Sequence, residues 1–471
     1  MPHQYDAIVI GAGTAGLAAV SELKKRSDNF LVVNDGPYGT TCARVGCMPS
    51  KLLIEAANAY HRRHSFAEFG IRGGDALRPD FPAVMRRVRA LRDDFVAGTV
   101  KLTDALGARS IAGRARLLAP DCVEVNGERL HTRAIVIATG SRPVVPKEWA
   151  AFAGRVLTTD TLFEQERIGP RLAVVGLGPL GAELAQALAR LGVEVSAFAR
   201  KDLLAGLSDP QTNAALHGAL AADMRLHTGA PATLAATEGG VAITSGGTRT
   251  VVDQVLAAVG RRPNLDGLGL ETLGLPLDEH GLPPFDPRST QVGDLRVFIA
   301  GDVDQQRPLL HEAADDGHVA GMNALADEVR CYQRRAGLSI VFTDPEVAVV
   351  GQSFTSLNGR DFETGSVDFA RQGRARAGQR NQGRLALYAD RAGGKLLGAE
   401  LCAPGGEHLA HLLGLAVARG LTVHDLLAMP IYHPVLEEGL RTALRDAARR
   451  LPDRRPSDLA HCAPIGAAAL E

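Results

Sequence analysis

The fold is decided by the stretch Asp6-Ala-Ile-Val-Ile-Gly11-Ala-Gly13-Thr-Ala-Gly16. Its first five residues predict a short apolar strand. Leu17 to Lys25 predict a helix, and Phe30 to Val33 predict a second strand. Glycines between a strand and a helix let the backbone approach a pyrophosphate at the helix N-terminus. The start of the chain is therefore predicted to be a βαβ unit that binds a dinucleotide.

A second copy of this pattern lies in the middle of the chain. Leu172 to Val175 predict a strand, which is followed by Gly176-Leu-Gly178-Pro-Leu-Gly181. A helix from Ala182 to Leu191 and a strand from Val193 to Phe198 complete the unit, and Val251 to Val259 predict a further strand. One such motif can arise by chance, whereas two in matching contexts predict two nucleotide sites.

The residues that end the second strand of each unit bear on nucleotide choice. An acidic residue is expected there to bind the ribose hydroxyls, but the first unit has Asn34 and the second has Ala199-Arg200-Lys201. Asparagine can still hydrogen-bond a hydroxyl. Arginine accommodates a 2′-phosphate, so the second site is interpreted as favouring NADP over NAD. The alternative is that Arg200 and Lys201 are only surface charges.

Two cysteines occur in the stretch Cys42-Ala-Arg-Val-Gly46-Cys47-Met-Pro49-Ser-Lys51. In a regular helix, residues five apart are separated by roughly 7.5 Å of rise and about 140° of rotation. A disulfide needs Cα atoms within about 7 Å, so pairing would require a break in the helix, which Gly46 and Pro49 allow. Strained, accessible disulfides tend to be catalytic. The alternatives are unrelated core thiols or half of a zinc site, although no second ligand pair is evident.

Composition limits the function classes. A chain of 471 residues suggests about three domains at ~150 residues each. Its formal net charge of −1 gives no basic excess for nucleic acid. The N-terminus enters a predicted strand at once, without the pattern of a signal peptide. No apolar run has the ~18 residues that a membrane helix needs. The other cysteines are dispersed, which fits a reducing compartment. We therefore expect a cytoplasmic enzyme without nucleic-acid or membrane partners.

The C-terminal part of the chain shows a different order of predicted strands and helices. From about Leu338, short strands are followed by helices, which predicts an α+β domain. Within it, His433 precedes a proline that can start a helix, and Glu438 follows five residues later. A lone histidine is usually structural, but one oriented by a carboxylate can carry out acid–base chemistry.

Taken together, these motifs resemble those of the flavoprotein disulfide reductases along nearly the whole chain except its C-terminal tail. The resemblance rests on both glycine fingerprints and on Cys42-x4-Cys47-x3-Lys51, Ala138-Thr139-Gly140, Gly260-Arg-Arg-Pro, Gly301-Asp302 and His433-Pro-x-x-x-Glu438. It implies an α/β fold with two Rossmann-like dinucleotide-binding domains and a C-terminal α+β dimerisation domain. The implied domains are an FAD-binding domain (1–150, with a return segment at 281–335), an NAD(P)-binding domain (151–280) and an interface domain (336–471).

The resemblance also implies roles for individual residues. Cys47 would be the flavin-facing charge-transfer thiol and Cys42 the thiol that exchanges with substrate. His433, oriented by Glu438, would come from the partner subunit of a homodimer with a shared active site. The implied FAD-binding residues are Gly11, Gly13, Gly16, Asn34, Lys51, Gly113, Thr139, Gly140, Gly301 and Asp302. The implied NAD(P)-binding residues are Gly176, Gly178, Gly181, Glu183, Arg200 and Gly260, and no metal site is implied.

Within the family, the chain is most similar to the dihydrolipoyl dehydrogenase branch. This implies FAD-dependent oxidation of dihydrolipoamide by NAD(P)+ through a Cys42–Cys47 disulfide. The partner would be a small dithiol or disulfide, with a lipoyl domain as a candidate. The alternative is an NADPH-dependent reductase of glutathione or another small disulfide.

Three other readings are less well supported by the residues. Mercuric reductases usually add a C-terminal cysteine pair, whereas only Cys462 occurs near the end of this chain. Soluble transhydrogenases usually lack paired redox cysteines. A non-enzymatic, flavin-bound paralogue would have no structural need for Cys42, Cys47, His433 and Glu438 together.

Overall fold

The computed structural model describes residues 4–455 and 457–458, so Cys462 and the tail around it lie outside the described residues. The first nucleotide unit contains eight strands and four helices. In chain order they are β1 (Ala7–Ile10), α1 (Thr14–Leu23), β2 (Phe30–Asn34), α2 (Thr41–Val45), α3 (Cys47–His61), α4 (Phe81–Asp104), β3 (Ser110–Ala112), β4 (Ala115–Ala119), β5 (Cys122–Val125), β6 (Glu128–His131), β7 (Ile135–Ile137) and β8 (Ser141–Pro143).

The second unit repeats this arrangement. Its elements are β9 (Val156–Leu157), α5 (Thr159–Leu162), β10 (Arg171–Val175), α6 (Pro179–Arg190), β11 (Glu194–Phe198), α7 (Pro210–Asp223), β12 (Arg225–His227), β13 (Thr233–Thr237), β14 (Gly240–Ser245), β15 (Thr248–Val252), β16 (Gln254–Ala257) and β17 (Arg261–Pro263). The chain then returns to the first unit through β18 (Val297–Ile299) and α8 (Leu310–Ala324).

Each nucleotide unit is built on a five-stranded parallel sheet. The strand orders are β18-β7-β1-β2-β3 and β12-β11-β10-β16-β9. The central strands are continuous apolar runs that are buried on both faces, as is typical of parallel sheets covered by helices. On one face α1 packs closely against α8. The two helices are so close that a Cβ atom at Gly317 would lie 2.1 Å from the Ala15 carbonyl oxygen, so this position requires glycine. The predicted α/β fold with two Rossmann-like units is confirmed.

One strand was predicted incorrectly. The apolar run from Val251 to Val259 is divided at Asp253 into β15, which belongs to an antiparallel β13-β14-β15 sheet, and β16, which belongs to the parallel sheet. The Asp253 carboxylate accepts hydrogen bonds from the Arg171 backbone NH at 3.0 Å and from its guanidinium at 2.6 Å. This ion pair fixes the crossing point between the two sheets, which hydrophobicity alone does not reveal.

The C-terminal unit is an antiparallel sheet covered by helices. Its elements are β19 (Leu338–Val341), β20 (Glu346–Gly351), β21 (Phe362–Asp368), α9 (Gly373–Ala377), β22 (Arg384–Asp390), β23 (Leu396–Ala403), α10 (Gly406–Arg419), α11 (Val423–Leu427) and α12 (Glu437–Ala448). The sheet order is β19-β20-β23-β22-β21, and α10 and α12 pack onto it. The predicted α+β character is confirmed. In the described part of the chain, no helix combines the length and apolarity needed to cross a membrane.

Candidate active site

The first glycine loop connects β1 to α1, and its packing shows which glycines are required. A Cβ atom at Gly11 would lie 2.2 Å from the Ala138 carbonyl oxygen, and one at Gly16 would lie 1.9 Å from the Gly11 carbonyl oxygen. At Gly13, by contrast, a Cβ atom would meet nothing within 4 Å. The loop is therefore closed against the protein on one side and open on the side of the α1 N-terminus, where a diphosphate fits.

A cavity of about 440 Å³ adjoins this loop. Its lining includes Gly11, Asn34, Gly113, Thr139 and Arg142. The Thr139 hydroxyl is buried and has no hydrogen-bond partner among the described residues, so it is available to a bound group. These features fit FAD, whose nucleotide portion would occupy the cavity.

Asn34 supports the glycine loop from within. Its side-chain oxygen accepts a hydrogen bond from the Ala12 backbone NH at 3.1 Å, and its amide nitrogen donates to the Gly36 carbonyl at 3.0 Å. Asparagine therefore uses both ends of its amide on the loop, which an ionised acidic residue could not do. This accounts for a side chain that differs from the acidic residue expected at this position.

Gly301 and Asp302 approach the same crevice after β18. The Gly301 NH donates to the buried Asp316 carboxylate at 3.1 Å, and the Asp302 carboxylate accepts from the Ser141 hydroxyl at 3.0 Å. The Arg261 guanidinium donates to the same hydroxyl at 2.8 Å. The antiparallel pair of β8 with β17 brings Ser141 and Arg261 together. Their contact was not predicted, since the pairing of three-residue strands more than a hundred residues apart gives no local signal.

The two cysteines lie on opposite sides of a helix break. Cys42 is in α2 and Cys47 begins α3, with Gly46 between the helices at φ −121° and ψ −115°. The predicted departure from a smooth helix is thus confirmed. Both cysteines carry free thiols, and the disulfide between them remains a prediction. Among the described residues, no group of three or more His, Cys, Asp or Glu side chains could hold a metal ion.

The two thiols differ in acidity. A hydrogen bond with the Cys42 side chain and the positive charge of Lys51 outweigh the effect of burial and together lower the pKa of Cys47 to about 7. The same hydrogen bond and burial raise the pKa of Cys42. Cys47 is also the first residue of a 15-residue helix, whose dipole favours an anion there. Cys47 is therefore the thiol that ionises first.

Lys51 and Glu183 connect the two nucleotide units at this point. The Lys51 ammonium lies 2.9 Å from the buried Glu183 carboxylate and 4.5 Å from the centre of the Phe342 ring. Glu183 also accepts a hydrogen bond from the Phe342 backbone NH at 2.8 Å. The ion pair thus joins α3, α6 and the end of β19, and it places a fixed cation one helical turn after Cys47.

The second glycine loop repeats the packing of the first. A Cβ atom at Gly176 would lie 2.1 Å from the Ala258 carbonyl oxygen, one at Gly181 would lie 1.9 Å from the Gly176 carbonyl oxygen, and one at Gly178 would meet nothing within 4 Å. Gly260, with φ +127°, also faces open space. This loop therefore fits a second dinucleotide. Arg200 and Lys201 are exposed just beyond β11, and neither side chain has an ion pair with a described residue.

His433 and Glu438 form a directed pair at the start of α12. The His433 Nδ1 atom lies 3.0 and 3.2 Å from the two Glu438 carboxylate oxygens, and the hydrogen bond lowers the pKa of Glu438. The imidazole is 80% exposed, whereas the carboxylate side chain is 20% exposed. Among the described residues of the single chain, His433 forms no hydrogen bond with either thiol. The chain thus brings Cys42, Cys47, Lys51 and Glu183 together and presents His433 outward.

Comparison with known proteins gives a consistent assignment. Residues 5–317 match the family described as pyridine nucleotide-disulphide oxidoreductase, and residues 338–444 match its dimerisation domain. A dihydrolipoyl dehydrogenase of Thermus scotoductus is 32% identical over 93% of this chain and 96% of the relative. One from Geobacillus stearothermophilus is 30% identical over 92% of this chain and 94% of the relative.

Solved structures share the fold. LpdA from Mycobacterium tuberculosis has a TM-score of 0.80 and 26% identity, covering 93% of this chain and 99% of that one. The HOCl-induced flavoprotein disulfide reductase RclA from Escherichia coli has a TM-score of 0.81 and 22% identity, covering 94% and 99% respectively. The glycine loops, the cysteine pair and these matches agree, and the chain belongs to the pyridine nucleotide-disulphide oxidoreductase family.

Proposed function

We propose that this protein oxidises dihydrolipoamide, with FAD as resident cofactor and NAD(P)+ as electron acceptor. The observation that carries the proposal is the cysteine pair across the Gly46 break, with Lys51 and Glu183 joining the two glycine-loop units beside it. Relatives of 30–32% identity that are named dihydrolipoyl dehydrogenase support the choice of substrate.

The proposed reaction balances in atoms and electrons. A substrate thiolate attacks the Cys42 sulfur of the oxidised pair, forms a mixed disulfide and releases Cys47 as a thiolate. The second substrate thiol then attacks the mixed disulfide, which closes the substrate disulfide and frees Cys42. Bound flavin supplies a two-electron relay from the enzyme dithiol to the nicotinamide. Overall the dithiol loses two electrons and two protons, NAD(P)+ gains a hydride, and one proton is released.

Each charged side chain has a defined part in this scheme. Lys51 stabilises the Cys47 thiolate, and the Glu183 carboxylate keeps the Lys51 ammonium in place. His433 accepts the substrate proton, and Glu438 holds the imidazole with Nδ1–H directed at the carboxylate, leaving Nε2 as the acceptor. The outward presentation of His433 supports a homodimer in which this pair serves the cysteines of the partner subunit.

The direct test is turnover of dihydrolipoamide with saturating NAD+ and, separately, with NADP+. We expect rapid reduction of at least one nucleotide by protein that carries FAD. If flavin-loaded protein is reduced by NADH or NADPH but turns over dihydrolipoamide with neither oxidised nucleotide, the lipoyl assignment is wrong and a different disulfide is the substrate.

A second candidate is an NADPH-dependent reductase of glutathione or another small disulfide. It is favoured by Arg200 and Lys201, which are exposed beyond β11 without ion pairs to described residues, and by Ala199, which leaves no carboxylate to bind a ribose diol. Reduction of glutathione disulfide by NADPH faster than oxidation of dihydrolipoamide would select this candidate.

The nucleotide preference is tested by the Arg200→Gln variant. Because hydrogen bonds to charged groups contribute about 1.5–3 kcal/mol, we expect kcat/KM for NADPH to fall by about 10- to 100-fold. The value for NADH should change little. Arg249→Gln, which alters an exposed arginine on β15, is the control. An equal loss with both nucleotides would show that Arg200 does not read the 2′-phosphate.

A further inference from the structure

A run of arginines lies in the C-terminal unit between β21 and β22. Residues 369–389 contain five arginines and no acidic residue, although the whole chain has a formal net charge of only −1. Four of them, Arg371, Arg374, Arg376 and Arg380, are exposed, and we call these four the arginine run. None of their guanidinium groups forms an ion pair or hydrogen bond with a described residue. Arg391, which follows β22, instead pairs with Asp361 and Glu363.

The arginine run is fixed beside the histidine–glutamate pair by two contacts. Gln372 caps α9 through its side-chain oxygen, and its amide nitrogen donates to the Val435 carbonyl at 2.7 Å, two residues after His433. Phe369 is fully buried and its ring fills the space next to Gly439, where an added Cβ atom would lie 2.9 Å away. The segment is therefore attached to the chain between His433 and Glu438 and directly after Glu438.

The acidic residues nearby do not neutralise this charge. Asp368 caps the start of the segment by accepting from the Ala370 NH at 2.7 Å. Glu438 is engaged by His433 and by Arg441, the latter at 3.2 Å. Glu437 and Asp368 have no ion pairs with described residues and together offer two negative charges against four positive ones. The segment next to His433 therefore carries a net positive charge.

Exposed like charges beside a catalytic group raise the local concentration of oppositely charged substrates and speed their association. A small disulfide would be bound by charges that converge in a crevice. Arg380 lines a crevice of about 530 Å³ that also contains Glu55 and Glu68. The other three arginines are spread over an exposed segment of surface, which suits a broader acidic face. A docking role for this surface depends on the proposed oxidation of a lipoyl dithiol. We propose that the arginine run is the docking surface for an acidic protein domain that carries the dithiol to the active site.

The test compares three substrates: neutral dihydrolipoamide, anionic dihydrolipoate and a dihydrolipoyl protein domain of net negative charge. The variant is Arg374→Gln with Arg376→Gln. The control is Arg26→Gln with Arg249→Gln, which removes two exposed arginines elsewhere that also lack ion pairs to described residues. At low ionic strength we expect kcat/KM for the domain to fall about tenfold in the variant, with a weaker dependence on salt. Dihydrolipoamide turnover and the control should match wild type.

The other outcomes separate the competing explanations. An equal loss with dihydrolipoamide would mean that the substitutions disturb His433, and an equal loss with dihydrolipoate would mean that the run binds small anions; either result overturns the docking surface. If wild type oxidises dihydrolipoamide but the variant is unchanged with the domain, the docking surface is wrong while the proposed function stands. If flavin-loaded wild type oxidises neither dihydrolipoamide nor the dihydrolipoyl domain, both the proposed function and the docking surface are overturned.

Discussion

The Cys42→Ser variant is expected to lose dihydrolipoamide turnover by at least about 10³-fold, which corresponds to roughly 4 kcal/mol of transition-state stabilisation. Serine cannot form the disulfide with Cys47 that accepts electrons from the substrate. The variant should still bind FAD, because the groups that fit the cofactor, such as Gly11, Thr139 and Asp302, lie outside the cysteine pair. Steady-state turnover and the visible absorbance of the flavin measure the two properties on the same sample.

A matched control is Cys331→Ser, which alters an exposed cysteine outside the site. It should retain wild-type turnover. Reduction of the flavin by NADH or NADPH in a single turnover should also persist in Cys42→Ser, since that step does not need the substrate-facing thiol. Substantial dihydrolipoamide turnover in Cys42→Ser would show that exchange does not pass through Cys42.

A second substitution at Cys42 tests why the pKa of the Cys47 thiol is lowered. Since the hydrogen bond with Cys42 is the main cause of the lowered pKa of Cys47, Cys42→Ala should raise that pKa from about 7 towards the unperturbed value of ~8.5. A thiol ionises above its pKa, so the variant should hold less Cys47 thiolate at pH 7.5. The rate of alkylation by iodoacetamide as a function of pH measures this. An unchanged midpoint would assign the acidity to Lys51 and the helix dipole instead.

The two glycine units could be predicted from the sequence because their decisive contacts are local. Gly16 closes against Gly11, and Gly181 closes against Gly176, within one strand–loop–helix unit each. The return of the chain through β18 to the first sheet has no comparable local signal. Its three residues pair with β7 across more than 150 positions, so only the resemblance to a family indicated that return.

In the candidate site, too, contacts between residues close in sequence could be predicted, whereas contacts between distant residues could not. Cys42 and Cys47, and likewise His433 and Glu438, are five residues apart, and each pair is evident from its spacing. Lys51 and Glu183 were each expected near the cofactors, but their ion pair crosses 132 residues and could not be read from either motif. The contact between Ser141 and Arg261 was missed for the same reason. Long-range polar contacts are set by how the sheets pack, and hydrophobic periodicity does not encode them.

The His433→Gln variant is expected to lower dihydrolipoamide turnover by about 10²- to 10³-fold, the usual contribution of a positioned acid–base group. Glutamine can still donate a hydrogen bond to Glu438, but it cannot accept the substrate proton at neutral pH. Reduction of the flavin by NADH or NADPH should be unchanged, because it does not involve this proton. His408→Gln, which alters an exposed histidine beside Glu407 on α10, is the control.

A mixing experiment then asks which subunit supplies His433. In a symmetric dimer with shared sites, a Cys42→Ser subunit paired with a His433→Gln subunit has one site with both defects and one site with neither. Random reassortment of the two inactive proteins makes half of the dimers mixed, so activity should recover to about a quarter of the wild-type value. If each site lay within one chain, every site in the mixture would carry a defect and no activity would return. The 80% exposure of the imidazole favours recovery, because Glu438 holds His433 at the surface of its own chain, where a partner subunit can use it, and His433 forms no hydrogen bond with a described thiol of that chain.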